Sequence, residues 1–235
     1  MKRVFLIATL VAAVAMSASA QFRLGAIVGG EFSSFNIKDN DGNVKDDWES
    51  EEKEAHKSHV GLKLGLVGEY AFGDYFAISP ELIFAQRGEK YKYDEKDDGD
   101  TYKDKFTTTL NYLMLPINAK GIIPIGDNFK IFGFAGIYTG LALSGKDKWS
   151  WEYKEDGKTD KGDESETIKF GSNADNDELK RLDFGLNFGA GIEINNFFIK
   201  GEYNLGLSNL DNYSDNGYKM QNRNFGISVG YFFIK

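Results

Sequence analysis

The sequence predicts an all-β protein, an eight-stranded antiparallel up-and-down transmembrane β-barrel with long extracellular loops and short periplasmic turns. Three observations carry that expectation. The N-terminus reads as an export signal, apolar residues recur at every second position through most of the mature chain, and the connections alternate between short and long.

Residues 1–20 have the parts of a signal peptide. Lys2 and Arg3 form a basic start, Val4 to Ala15 an apolar stretch, and Ala18-Ser19-Ala20 a small-residue cleavage site. Cleavage after Ala20 is expected, with 21–235 as one barrel domain. The chain has no cysteine, so disulfides, thiol nucleophiles, Cys-ligated metals and a lipidated N-terminal Cys are excluded. Past the signal, no run approaches the roughly 18 apolar residues of a membrane helix. Losing Lys2 and Arg3 takes the formal charge from −8 to −10. Phosphate contacts need clustered Lys and Arg, so nucleic acid is not an expected partner.

Strands are expected near 22–33, 59–72, 75–87, 106–122, 129–144, 181–193, 197–209 and 223–234. Leu182-Asp183-Phe184-Gly185-Leu186-Asn187-Phe188-Gly189 states the pattern most clearly, and Asn224-Phe225-Gly226-Ile227-Ser228-Val229-Gly230-Tyr231 repeats it. Period two puts the apolar residues on one face and glycine or charge on the other. Gly73-Asp74, Pro124 to Asn128 and Asn195-Asn196 have tight-turn chemistry. The long connections are 34–58, 88–105, 145–180 and 210–222. An even strand number with this alternation leaves both termini in the periplasm.

The long connections are strongly polar and cannot build a core of their own, so mobile loops are the default. However, Trp149-Ser150-Trp151-Glu152-Tyr153 and Thr167-Ile168-Lys169-Phe170 still alternate. The third long connection can therefore extend its two strands above the membrane as a hairpin. Its charge makes it a poor pair of membrane strands, against a ten-stranded barrel.

Alternation alone does not say which face is inside, and a soluble lipocalin-like barrel would turn the apolar face inward. Gly25, Gly29, Gly61, Gly65, Gly185, Gly189, Gly226 and Gly230 share the polar face. Glycine is poor in water-facing strands but useful in a narrow lumen, where large and small side chains interdigitate. Strand parity also places Arg23, Lys63, Arg87, Lys120, Arg181 and Lys200 inside, with Glu31, Glu69, Glu81, Asp183, Glu193 and Glu202 opposite. Buried charges must be paired, which such a set allows.

The other face offers Leu62, Leu64, Leu66, Leu82, Leu113, Leu115, Phe184, Leu186, Ile227 and Val229 to lipid. Tyr70, Phe72, Tyr75, Phe76, Phe197, Phe198, Tyr231 and Phe233 fall at strand ends, as an interfacial girdle would. The strand from Phe129 to Ser144 is apolar on both sides, and its faces stay unassigned.

Tyr112-Leu113-Met114-Leu115-Pro116-Ile117 resembles the "Y-L-x-I-P-L" strand of the PorT-like outer-membrane β-barrel family of Bacteroidetes-type bacteria. Asp183-Phe184-Gly185 through Gly189-Ala190-Gly191 and Tyr203-Asn204-Leu205-Gly206-Leu207-Ser208-Asn209 resemble its penultimate strands. Gly226 to Phe233 resembles its closing strand, although this chain ends Phe233-Ile234-Lys235 rather than on an aromatic residue. The resemblance spans the mature chain and implies a barrel of the outer membrane. The named member implies a part in protein secretion, but the shared residues are those that build the barrel.

Chemistry is sparse. His56 and His59 sit at a strand rim, where residues three apart in an extended chain point to opposite faces, so joint metal ligation needs a turn. Ser58 beside His59 does not make a nucleophile and base, because adjacent strand residues diverge. Asp39-Asn40-Asp41-Gly42-Asn43 has calcium-loop composition, but Val44 and Ser50 occupy the positions that need Gly and a bidentate Glu. No catalytic, cofactor-binding or metal residues are therefore assigned, no cofactor is expected, and an enzyme is not predicted. Two functional classes remain. One is a membrane-anchored structural or interaction module presenting acidic extracellular loops; the other is a small porin-like channel or a component of a secretion or assembly complex. Expected partners are outer-membrane lipid and lipopolysaccharide, with an envelope protein or extracellular ligand at the loops.

Overall fold

A computed structural model describes residues 21–38, 56–97, 100–155, 157–173, 177–212 and 219–234. Its strands are β1 (Gln21–Lys38), β2 (His56–Ala71), β3 (Phe76–Asp97), β4 (Asp100–Ile125), β5 (Phe129–Glu155), β6 (Lys158–Thr167), β7 (Leu182–Ile194), β8 (Phe197–Gly206) and β9 (Lys219–Ile234). Neighbours pair antiparallel in the ring β1-β2-β3-β4-β5-β7-β8-β9, and β9 returns to pair with β1. Eight strands thus close the barrel, as the alternation predicts. β6 stands outside the ring and pairs only with the outer end of β5, from Lys146↔Thr167 to Glu155↔Lys158. It is the hairpin that the Trp149–Tyr153 alternation suggests.

The burial of each strand follows its period. On β7, Asp183, Asn187 and Glu193 are buried, while Leu182 and Phe184 are 61% and 55% exposed. A water-soluble barrel would have these reversed. Apolar side chains outside and charges inside make sense when the surrounding medium is lipid. The same holds for Leu62, Leu64 and Leu66 on β2 and for Leu113, Leu115 and Ile117 on β4. At the periplasmic end the chain reverses through left-handed residues: Gly73 at φ 78°, Gly126 at φ 70° and Asn195 at φ 57°. Gly and Asn tolerate that region best, which is why these positions carry them.

Two expectations change. The connection expected over 88–105 is nearly all strand, because β3 runs on to Asp97 and β4 starts at Asp100. β4 is 26 residues long, whereas a tilted strand crosses a membrane in about 9–11. The surplus of β3, β4 and β5, with β6 alongside, forms a sheet that stands clear of the barrel on the extracellular side. Charge alone suggested a loop there, yet Lys90-Tyr91-Lys92-Tyr93 alternates as well as any strand. The second change concerns Phe198. It is 4% exposed and lies in the lumen, not in the interfacial girdle with Phe197.

Candidate functional site

The lumen is filled in layers by the charges that parity places there. Nearest the periplasm, Arg23 on β1 lies between Glu69 on β2 and Glu193 on β7. Its guanidinium donates to Glu193 at 2.6 and 2.9 Å and to Glu69 through Nε at 3.0 Å. Lys120 donates to Glu69 at 2.6 Å. In the middle layer Lys200 donates to Glu81 at 2.5 Å and lies 3.2 Å from Glu202, which Lys63 also meets. In the upper layer Arg87 donates to Glu31 at 2.7 and 3.0 Å. Asp183 accepts from Ser208 at 2.5 Å, Asn222 at 2.8 Å and Tyr138 at 3.1 Å. Each carboxylate has a cation or several donors, the condition for holding charge away from water.

Aromatic rings and glycines complete the packing. Arg23 sits 4.0 Å over the Phe232 ring and Lys120 3.8 Å over Phe132. A Cβ at Gly189 would lie 2.6 Å from Phe134, one at Gly191 2.5 Å from Phe132, and one at Gly230 2.2 Å from Phe198. These contacts explain β5, whose faces the sequence leaves unassigned. Its lumen face is aromatic because the facing strand supplies glycine. A void among the described residues, bordered by Lys120, Phe132, Glu81 and Lys200, is about 20 Å³, enough for a single water.

Parity misplaces one charge. Arg181 is exposed at the outer rim, where it donates to the carbonyls of Ala142 and Phe170 at 3.3 and 3.2 Å. Lys130 takes its place in the balance and donates to Glu193 at 3.3 Å from the periplasmic mouth. Lys130 was not predicted because its strand could not be oriented.

The two ends of the barrel differ. Outside, Ile168 and Leu110 are buried and meet the ring of Phe170 over Gly145. The segment carrying Ile168 is tied down by Ile168 N donating to Gly145 O at 3.0 Å and Lys180 N to Leu210 O at 2.8 Å. This apolar cap covers the upper charge layer. On the periplasmic side, a vestibule of about 390 Å³ opens between the turns, lined by Asp74, Asp127, Asn128, Asn195 and Asn196, with Arg23 and Glu69 at its floor.

The extracellular sheet has two unlike faces. Pairing aligns Tyr93, Asp104 and Trp151 across β3, β4 and β5, and likewise Tyr91, Phe106 and Trp149. This face continues the lumen face upward. Trp149 and Trp151 lie 5.0 Å apart, and Tyr102 and Tyr153 lie 6.0 Å apart. Asp104 accepts from Trp149 Nε1 at 3.1 Å and from Tyr153 Oη at 2.9 Å. The bond to Asp104 raises the Tyr153 phenol above its ordinary range. Gly162 on β6 leaves room for the Trp151 ring, since a Cβ there would fall 2.3 Å from it. The other face carries lysines, among them Lys103 bridged to Glu152 and Lys148 to Asp163, both at 3.1 Å.

His59 is half-buried, and burial followed by the charge of Lys90 holds its imidazole below the usual range. The His56 side chain and Asp39–Asn43 lie outside the described residues. Among the described residues, no group of three or more His, Asp or Glu is arranged to hold a metal.

A family described as outer membrane protein beta-barrel domain matches residues 16–212. No curated protein matches the chain. Among solved structures, the Ail attachment invasion locus protein of Yersinia pestis is similar at 18% identity. That match covers 91% of this chain and 99% of the other, with a TM-score of 0.34. Neisserial surface protein A aligns at 12% identity over 92% and 99% of the two chains, with a TM-score of 0.38. The N-terminal barrel domain of Pseudomonas aeruginosa OprF aligns at 12% over 91% and 100%, with a TM-score of 0.32. Scores this low carry no argument about activity.

Proposed function

The chain belongs to the outer membrane protein beta-barrel domain family, and from that premise we propose that it is a sealed barrel whose task is to anchor and present its extracellular sheet. The observation that carries this reading is a contrast in order. The lumen is filled by paired charge, and a void among its charges and rings holds only about 20 Å³, while strands far longer than a membrane needs hold an aromatic face outside. Rigid aromatic side chains give large contact area at low entropic cost, which suits a surface that binds a protein or glycan. Nothing in this reading needs a catalytic group, so the chain is read as a non-enzyme.

Photo-crosslinking in intact cells, with the probe at Trp151, tests it. One abundant adduct with an envelope protein or an external ligand is expected. No adduct, with the protein located in the outer membrane, would overturn the reading in favour of a self-contained barrel. The porin-like alternative has one observation behind it, the 390 Å³ periplasmic vestibule, but that space ends on the Arg23–Glu69 floor. Two finer attributions belong to the same proposal. The Tyr112–Ile117 motif supports PorT-like kinship, with its implied secretion or assembly partners, and residues 1–20 support export with cleavage after Ala20.

A further inference from the structure

In an antiparallel sheet, side chains on directly opposed residues share a face and touch, and like charges there are destabilising. The extracellular extension nevertheless opposes lysine to lysine three times. Lys38 on β1 faces Lys219 on β9, Lys57 on β2 faces Lys90 on β3, and Lys92 on β3 faces Lys105 on β4. Among the described residues, none of these six ammonium groups meets a carboxylate within ion-pair distance. All six are at least partly exposed. Partial burial, then Lys105, Lys92 and Lys57 in that order, hold the Lys90 ammonium below its ordinary range.

Their placement points to what would neutralise them. Each pair lies on the face that, lower on the same strands, is the lipid-facing belt: Phe32 and Phe225 below Lys38 and Lys219, Phe84 and Leu113 below Lys92 and Lys105. Lys57 stands about 8 Å, and Lys90 about 15 Å, beyond the last apolar residues of their strands along the barrel axis, taking roughly 3.3 Å per residue and a 40° tilt. That height is the polar layer of the outer leaflet, whose glycolipid carries a tall, phosphorylated sugar headgroup. Several acids of the extension point the other way, Asp104 and Glu164 among them on the aromatic face. On the lysine face, Asp94 and Glu152 both oppose Lys103, which is bridged to Glu152, and Asp163 is bridged to Lys148. A chain of net charge −8 thus turns a cationic surface toward the membrane and an acidic, aromatic one away from it.

We propose that these opposed lysines form a collar that docks the phosphates of outer-leaflet glycolipid, and so hold the extracellular sheet against the membrane surface. The inference rests on the membrane reading of the barrel. The ligand class follows from the charge and the height, since a mobile phosphate layer supplies counter-charge to every pair at once.

The test uses the full chain, and the variant K57Q/K90Q/K105Q, folded into phosphatidylcholine vesicles with and without bisphosphorylated lipid A. Retention of lipid A by the extracted protein is read by native mass spectrometry. The natural sequence should retain lipid A, and the triple variant should bind it about 100-fold more weakly, the product of one near-surface charge term per lysine. K154Q/K161Q, higher on the same face, should bind as the natural sequence does. Equal retention of dephosphorylated lipid A, or equal binding by the triple variant, would overturn the proposal. Tighter binding of a soluble sulfated polysaccharide than of lipid A would also overturn it, assigning the lysines to a soluble polyanion. Failure to enter plain phosphatidylcholine vesicles would refute the membrane reading itself, a separate result.

Discussion

Lys200 on β8 reaches across the lumen to Glu81 on β3, Nζ to Oε1 at 2.5 Å. The two strands are not neighbours in the ring, so this bond ties opposite walls of the barrel. Glu202 sits beside the same ammonium at 3.2 Å and also receives Lys63. The middle layer is therefore a closed group of two bases and two acids, and taking out any one leaves a charge without its counterpart in a water-poor space.

Lys63→Leu should lower barrel stability by about 3–5 kcal/mol, the usual cost of stranding a buried partner charge. Urea unfolding in vesicles measures it. Lys63→Leu combined with Glu202→Leu should recover part of the loss, although Lys200 then has only Glu81. An unchanged midpoint for the single variant would mean that Lys63 faces lipid or water.

Gly230→Val should impair folding, because the new side chain would enter the Phe198 ring and approach the Ala26 carbonyl, 2.7 Å from the Cβ position. Overpacking of this kind costs about 1–3 kcal/mol or more. Adding Phe198→Ala should return a good share of the heat-resistant folded band on gels. If the pair behaves no better than Gly230→Val alone, the ring contact is not the cause.

Much of this was legible because a barrel repeats one instruction. Parity alone puts Arg23, Lys63, Arg87, Lys120 and Lys200 in the lumen, since a strand offers each side chain only two faces. Arg181 fails because it lies just before β7 begins, where parity has no meaning. Phe132 and Phe134 cannot be assigned to a face until Gly189 and Gly191 are known to lie opposite them, and that pairing needs the register between β5 and β7. The extracellular sheet was concealed by its charge. Lysine and acid lower apparent strand character, yet Lys90 to Tyr93 and Trp149 to Tyr153 keep period two, because one face of the sheet is aromatic and the other meets the polar layer.

The natural barrel should pass no measurable current in a planar bilayer. Between vestibule and cap, every layer is occupied by paired charge or by aromatic rings packed on glycine. Truncating the middle layer as Lys63→Ala, Glu81→Ala, Lys200→Ala and Glu202→Ala should still give at most brief openings, since the Ile168–Leu110 cap stays in place. Steady conductance from the natural chain would require the cap and all three layers to move together, and would revive the porin reading.

Lys90 gives a pH dependence of definite sign. Its folded pKa is depressed, by partial burial first and then by Lys105, Lys92 and Lys57, so the charged form is the one the fold resists. The penalty is complete at neutral pH, where the ammonium is charged in both states. It fades as pH rises through the lowered folded pKa toward the unfolded value of about 10.4. In vesicles free of anionic lipid, raising the pH from 7 toward 10 should therefore stabilise the outer ends of β3 and β4 once intrinsic exchange chemistry is corrected for. Lys90→Gln should give that protection already at pH 7, read as slower amide exchange from Tyr91 to Tyr93. Faster exchange in the variant would mean that Lys90 is held by an attractive contact, and the opposed lysines would then not be a strained set.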